Sequence, residues 1–206
     1  PFGARVHAPW SMAAAAVLRR DHGIEVDAVW SDDGFILRFP DADAAPDPSE
    51  LILDPIEASA LIVDEAGGSA LFASRFREAA SRSLLLPRRR PGNRTPLWLQ
   101  RRKSTSLLQA AGRYPTFPVV LEAMREVLQE HFDVAALVEL LGDIATRRIR
   151  LVSVDTTGPS PFASSLMFDF VASFMYEYDA PAAERRAMAL TIDRDLLSQL
   201  LGEPAL

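Results

Sequence analysis

The 206-residue sequence has no cysteine, which excludes disulfide staples, thiolate metal ligands and thiol nucleophiles and makes a reducing cytoplasm its natural setting. Histidine occurs only at positions 7, 22 and 131, too widely spread for a zinc motif and without a partner at a spacing that would define a catalytic pair. A phosphate-binding Gly-rich loop is missing, because Gly67-Gly68 has neither the following Lys-Ser/Thr nor a preceding strand. So are a nucleophile elbow and a carboxylate pattern suited to a metal loop. No apolar run approaches the roughly 20 residues that a membrane-spanning helix needs. These absences disfavour a self-contained enzyme, and the chain is expected to hold no cofactor or metal and to meet no membrane.

What is present is a globular composition, 49% hydrophobic and 24% charged, long enough to bury a sizeable core. The opening Pro1-Phe2-Gly3-Ala4-Arg5 lacks an initiator Met and any leader pattern, and reads as a boundary inside a longer protein. The net charge of −6 would argue against a nucleic-acid partner if the charges were mixed. They are segregated: from Arg75 to Arg113 there are 11 of the 22 basic residues and one acid, Glu78, so that stretch carries +10 and the remainder −16. Self-repulsion opposes such a cluster, so its presence points to an anionic partner. Lys103 is the sole lysine, a bias that genomic composition explains.

Along the chain, Ala4 to His7 suits a short opening strand. An alanine-rich helix follows, with Pro9 in its first turn, Ser11 as an alternative cap, and Gly23 as its stop. Ile24 to Trp30 and Phe35 to Phe39 alternate about Asp32-Asp33-Gly34 and predict a β-hairpin. Helices are expected from Pro55, capped by Asp54, to Gly67-Gly68; from Ser69 onward; from Leu97 to about Gly112; from Phe117 to His131, capped by Thr116; and from Val134 to about Thr146, capped by Asp133. Ile149 to Val154 alternate as a late strand. Phe162 to Tyr178 predict a helix apolar on most sides, its aromatic residues serving packing, with shorter helices following Asp179 and Thr191.

The expected fold class is α+β: a small antiparallel sheet, made of the N-terminal hairpin plus the late strand, with an inserted and following helical bundle. Residues 1–206 would form one interwoven domain. Residues 1–40 are β-rich with one helix, 50–147 form a helical insertion carrying a basic loop at 87–103, and 148–206 add the strand and C-terminal helices.

Two features suit a nucleic acid. In the first, Pro87, Pro91 and Pro96 stiffen a segment bearing Arg88, Arg89, Arg90 and Arg94, followed by Trp98, Arg101, Arg102 and Lys103. Guanidinium forks on such a backbone match phosphate oxygens, and Trp98 suits either stacking on a base or anchoring the next helix. The same run also suits a solvated loop, or one paired with the acids between Asp41 and Asp64 or with another domain. The second feature is His7-Ala8-Pro9-Trp10, whose indole is suited to base stacking or to plugging the core.

The strings Gly67 to Glu78, Leu84 to Gly92, Arg94 to Trp98 and Ser160 to Leu166 resemble the region following the motor in helicases of the large helicase-related (Lhr) family. Gly3 to Trp10 and Asp179 to Arg186 fit the same region, so the resemblance spans nearly the whole chain. It implies the DEAD/H-associated accessory domain of a superfamily-two, ATP-dependent 3′-to-5′ DNA helicase. ATP and Mg would then belong to RecA-like lobes outside this chain, which lacks both the phosphate loop and the Asp-Glu-x-His box. The partners implied are single-stranded DNA or a DNA/RNA hybrid, with the RecA-like and winged-helix domains of the same parent chain. The contact residues would be His7, Trp10, Arg88, Arg89, Arg90, Arg94, Trp98, Arg101 and Arg102. A bracing module without DNA contact, or a base-excision activity using acids that spacing does not single out, are the competing readings.

Overall fold

The structure, a computed structural model, describes residues 2–39, 46–86, 96–114, 116–156, 163, 164 and 166. It is an α+β arrangement dominated by helices. In chain order these are α1 (Ala4–His22), a hairpin of β1 (Asp27–Trp30) and β2 (Phe35–Arg38), a 3-10 turn (Pro48–Leu51), α2 (Pro55–Gly68), α3 (Ala70–Arg82), α4 (Leu97–Ala111), α5 (Pro118–Glu126), a π-helical turn (Val127–His131) and α6 (Val134–Ala145).

The chain's first element is a helix where alternation suggested a strand, and the reason is tertiary. Gly3 turns the backbone with a φ of 84°, and the N–H of Ala4 donates to Oδ1 of Asp32 at the hairpin tip at 2.9 Å, so a distant carboxylate does the work of an N-cap. Pro9 then sits well inside α1 rather than in its first turn, and its missing N–H frees the carbonyl of Arg5. That carbonyl accepts the N–H of Asp133 at 2.9 Å, which offsets the interruption. The stop at Gly23 is as expected: it adopts the left-handed conformation and its N–H closes on Arg19 O.

The hairpin pairs Asp27 with Arg38 and Trp30 with Phe35, turning through Ser31 to Gly34. Among the described residues the sheet has these two strands alone, and 150–156 run beside no partner strand, so the late strand does not join it. Alternation there carried no information about pairing, because a strand exists only where another edge receives it.

Asp54 caps α2, Ser69 caps α3 and Asp133 caps α6 through side-chain oxygens. Thr116 does not cap α5. The N-cap position falls one residue later, on Phe117, with Pro118 opening the helix, where fixed φ substitutes for a side-chain cap. The expected helix to His131 ends in the π turn, where Phe132 N–H reaches Val127 O.

Apolar residues one turn apart build the core: Ala58, Ile62 and Ala66 from α2, Phe72, Phe76 and Ala80 from α3, and Leu137 and Leu141 from α6, with Val17 of α1 and Val127. Each large side chain so buried contributes about 1.5–3 kcal/mol. α1 packs on α2, α6 and the hairpin, while α3 packs between α4 and α5. Ala163, Ser164 and Leu166 are helical, and buried Leu166 lies beside Gly34 of the hairpin turn. The remainder of the expected helix from Phe162 to Tyr178, and those after Asp179 and Thr191, lie outside the described residues. Among the described residues no helix is long and apolar enough to cross a membrane.

Candidate nucleic-acid interface

On α4, Ser104, Leu107, Leu108 and Ala111 turn toward the body of the fold, which leaves the opposite side to solvent. Trp98, Arg101, Arg102 and Thr105 fall three, four and seven residues apart, so they form one stripe. Trp98 is 63% exposed, unusual for so large an apolar ring, and Arg101, Arg102 and Lys103 are exposed as well. Trp98 therefore does not anchor α4 into the core. Among the described residues no carboxylate pairs with Arg101, Arg102 or Lys103, whereas Arg19, Arg20, Arg75, Arg82 and Arg125 are all matched to acids. The stripe thus combines an open π face with uncompensated cations.

Trp10 is placed differently. Its ring is half-buried, 5.5 Å from the ring of Phe35 at a 56° tilt, and its Nε1–H donates to Leu51 O at 2.8 Å. It joins α1 to the hairpin and to the 3-10 turn, with part of the ring reaching solvent. His7 is turned inward, at 4% exposure, with Nδ1 2.8 Å from Ser31 O. A carbonyl oxygen only accepts, so Nδ1 carries the proton and His7 fastens the hairpin to α1. Arg88, Arg89, Arg90 and Arg94 lie outside the described residues.

Two residues that shape the fold around these surfaces, Arg5 and Arg77, were not singled out in the sequence. Arg5 reaches across to the π turn, where Nη2 donates to Gln129 O at 2.6 Å and Phe132 O at 3.4 Å. Arg77 of α3 faces α4, with Nη2 donating to Ser74 Oγ at 3.2 Å. The one available hint for Arg77 was its position beside Phe76, since a residue next to a fully buried aromatic points off the core face.

The fold and this surface define a helix-rich α+β module whose α4 carries, among the described residues, exposed cations without an acid partner. The chain belongs to the DEAD/H associated family, whose family model matches residues 1–163. It is 54% identical over 203 residues to the Lhr helicase/probable uracil glycosylase of Mycolicibacterium smegmatis, covering 98% of this chain and 14% of that protein. The Lhr helicase/uracil glycosylase of Escherichia coli is 48% identical over 98% of this chain and 13% of its own length. A solved structure of Mycobacterium smegmatis helicase Lhr bound to ssDNA and AMP-PNP matches with a TM-score of 0.73 and 52% identity, covering 82% of this chain and 21% of that one. The chain therefore spans a small part of each of these relatives.

Proposed function

We propose that this chain is the accessory domain of an ATP-dependent, 3′-to-5′ single-stranded DNA helicase, and that it grips the tracking strand beyond the motor lobes. The observation that carries the reading is the α4 stripe: an exposed Trp98 flanked by Arg101 and Arg102 with no carboxylate partner among the described residues. An indole face stacks on any base, for about 1–3 kcal/mol, and guanidinium groups hold the phosphates on either side, so the grip tolerates any sequence. A translocating motor needs that tolerance. The solved helicase relative was captured with ssDNA, which agrees with a single strand as partner, and a DNA/RNA hybrid would present the same tracking strand.

In this reading ATP and Mg are held by RecA-like lobes elsewhere in the parent, and a winged helix stands between those lobes and this domain. Trp10 adds a second stacking surface through the part of its ring that reaches solvent, with His7 holding the hairpin that supports it. Arg88, Arg89, Arg90 and Arg94, which lie outside the described residues, are proposed as further phosphate contacts on the strength of their chemistry alone. The test is the parent helicase carrying Trp98→Ala, or Arg101→Gln with Arg102→Gln. Weakened binding to oligo(dT), with a shallower salt dependence for the arginine pair alone, supports the reading. Unchanged affinity and unwinding in both variants rejects it.

A second reading, a brace for the motor and winged-helix domains without DNA contact, is favoured by a different surface. Ile56, 82% exposed, Ala60 and Val63 make an apolar line along the outer side of α2, beside Val138 of α6. Such a line suits docking against another domain, and the two roles occupy separate faces of the module.

A further inference from the structure

Helix α3 carries two sets of arginines with opposite fates. Arg75 and Arg82 turn to α5 and converge on Glu126, at 3.4 and 3.1 Å. Arg77 turns to α4, where among the described residues no acid meets it. Between α3 and α4 lies a groove of about 490 Å³, lined by Ser74, Arg77, Arg101, Ser104 and Thr105, with Ala70 and Ala73 too small to fill it. Arg77 is half-buried and steadied by its bond to Ser74 Oγ. A guanidinium only donates, so Ser74 accepts from it and keeps its own proton for a ligand. Arg101 closes the opposite wall and stands one turn from Trp98, so groove and stripe are contiguous along α4.

We propose that this groove is a phosphate subsite that takes one backbone phosphodiester of the single strand, between the guanidinium groups of Arg77 and Arg101 and the hydroxyl of Ser74. The inference deepens the accessory-domain reading and rests on it. Its chemistry is that of two planar guanidinium donors and a hydroxyl with no negative charge among them, which fits the two non-bridging oxygens that share a phosphodiester's single negative charge. The groove fixes the register of the sugar-phosphate chain, and Trp98 receives the base beside it.

The experiment uses the parent helicase and fluorescein-labelled oligo(dT) without nucleotide, with anisotropy read from low to high salt. Arg77→Gln is expected to weaken binding roughly three- to tenfold near physiological salt and to flatten the log-log salt slope by about 0.7, the value for one phosphate on a single strand. Arg77→Lys should restore the slope, and oligo(dA) should show the same loss as oligo(dT). Ser74→Ala keeps the charge, so it should lower affinity with the slope retained; it also carries the test if Arg77→Gln does not fold. An unaltered affinity and slope for Arg77→Gln, or for Ser74→Ala an unaltered affinity, overturns the subsite. If Trp98→Ala still weakens binding in that case, the accessory-domain reading survives without the groove. If Trp98→Ala and the Arg101→Gln, Arg102→Gln pair are silent too, both fall.

Discussion

The carbonyl of Arg5 accepts the backbone N–H of Asp133 at 2.9 Å, so the acceptor that Pro9 leaves free in α1 is met by the residue that caps α6. Arg5 reinforces the junction with its side chain, donating to Gln129 O and Phe132 O around the π turn. Two backbone irregularities, a proline inside α1 and a wide turn after α5, satisfy one another's polar groups across the fold.

Replacing Arg5 by Ala removes the two side-chain bonds and leaves the π-turn carbonyls to solvent or unpaired. A loss of about 0.5–1.5 kcal/mol is expected, since the side chain is exposed, read as a lowered urea midpoint with unchanged slope. Both bonds come from the one nitrogen Nη2, so Arg5→Lys, whose ammonium also has several N–H donors, should recover part of the loss.

Trp10 separates its hydrogen bond from its ring. Trp10→Phe deletes the bond to Leu51 O and keeps an aromatic face against Phe35, for an expected loss of about 0.5–1.5 kcal/mol by thermal unfolding and little change in DNA affinity. Trp10→Ala should destabilise further and also weaken binding to oligo(dT) in the parent helicase. Equal DNA affinities for the two variants would remove Trp10 from the stacking surface.

Phe76 is fully buried at the centre of the core, so Phe76→Ala should cost about 3–5 kcal/mol, with Phe76→Leu well under that. Calorimetric unfolding distinguishes the two.

Acid should weaken the fold. The carboxyl of Asp47 is held below its ordinary pKa by the Ser49 backbone N–H and then by that residue's side chain, and Glu122 is held low by its hydrogen bonds from Arg125 and that residue's charge. A lowered folded pKa contributes stability above the ordinary carboxylate range of about 4 that is lost as pH falls through the folded value. The unfolding midpoint should therefore drop below about pH 4, and Glu122→Gln should make that drop shallower.

The parts of this fold that local chemistry decides were legible in the sequence. Asp54 before Pro55, Ser69 before Ala70 and Asp133 before Val134 each announce a helix start, and Asp32-Asp33-Gly34 announces the hairpin, because a cap or turn depends on neighbours in the chain. What remote contacts decide was not legible. Ala4 to His7 alternate like a strand, yet Asp32 and Asp133, both distant in sequence, make them helical. Trp98 and Trp10 look alike as indoles one or two residues after a proline. Only packing turns one outward and places the other between Phe35 and Leu51. Arg77 was hidden for the same reason, since its bareness is a property of which helix face meets α5 and which meets α4.

The Arg5–Asp133 link also bears on the order in which the molecule assembles. Helix ends ordinarily fray, yet here the carbonyl of Arg5, freed by Pro9, gains its partner only once the start of α6 has docked, a closure over more than a hundred residues that carries a large loop entropy. The amides of Val6 and His7, which bond to Gly3 O, should then exchange with solvent at rates set by opening of the α1–α6 contact rather than by local fraying.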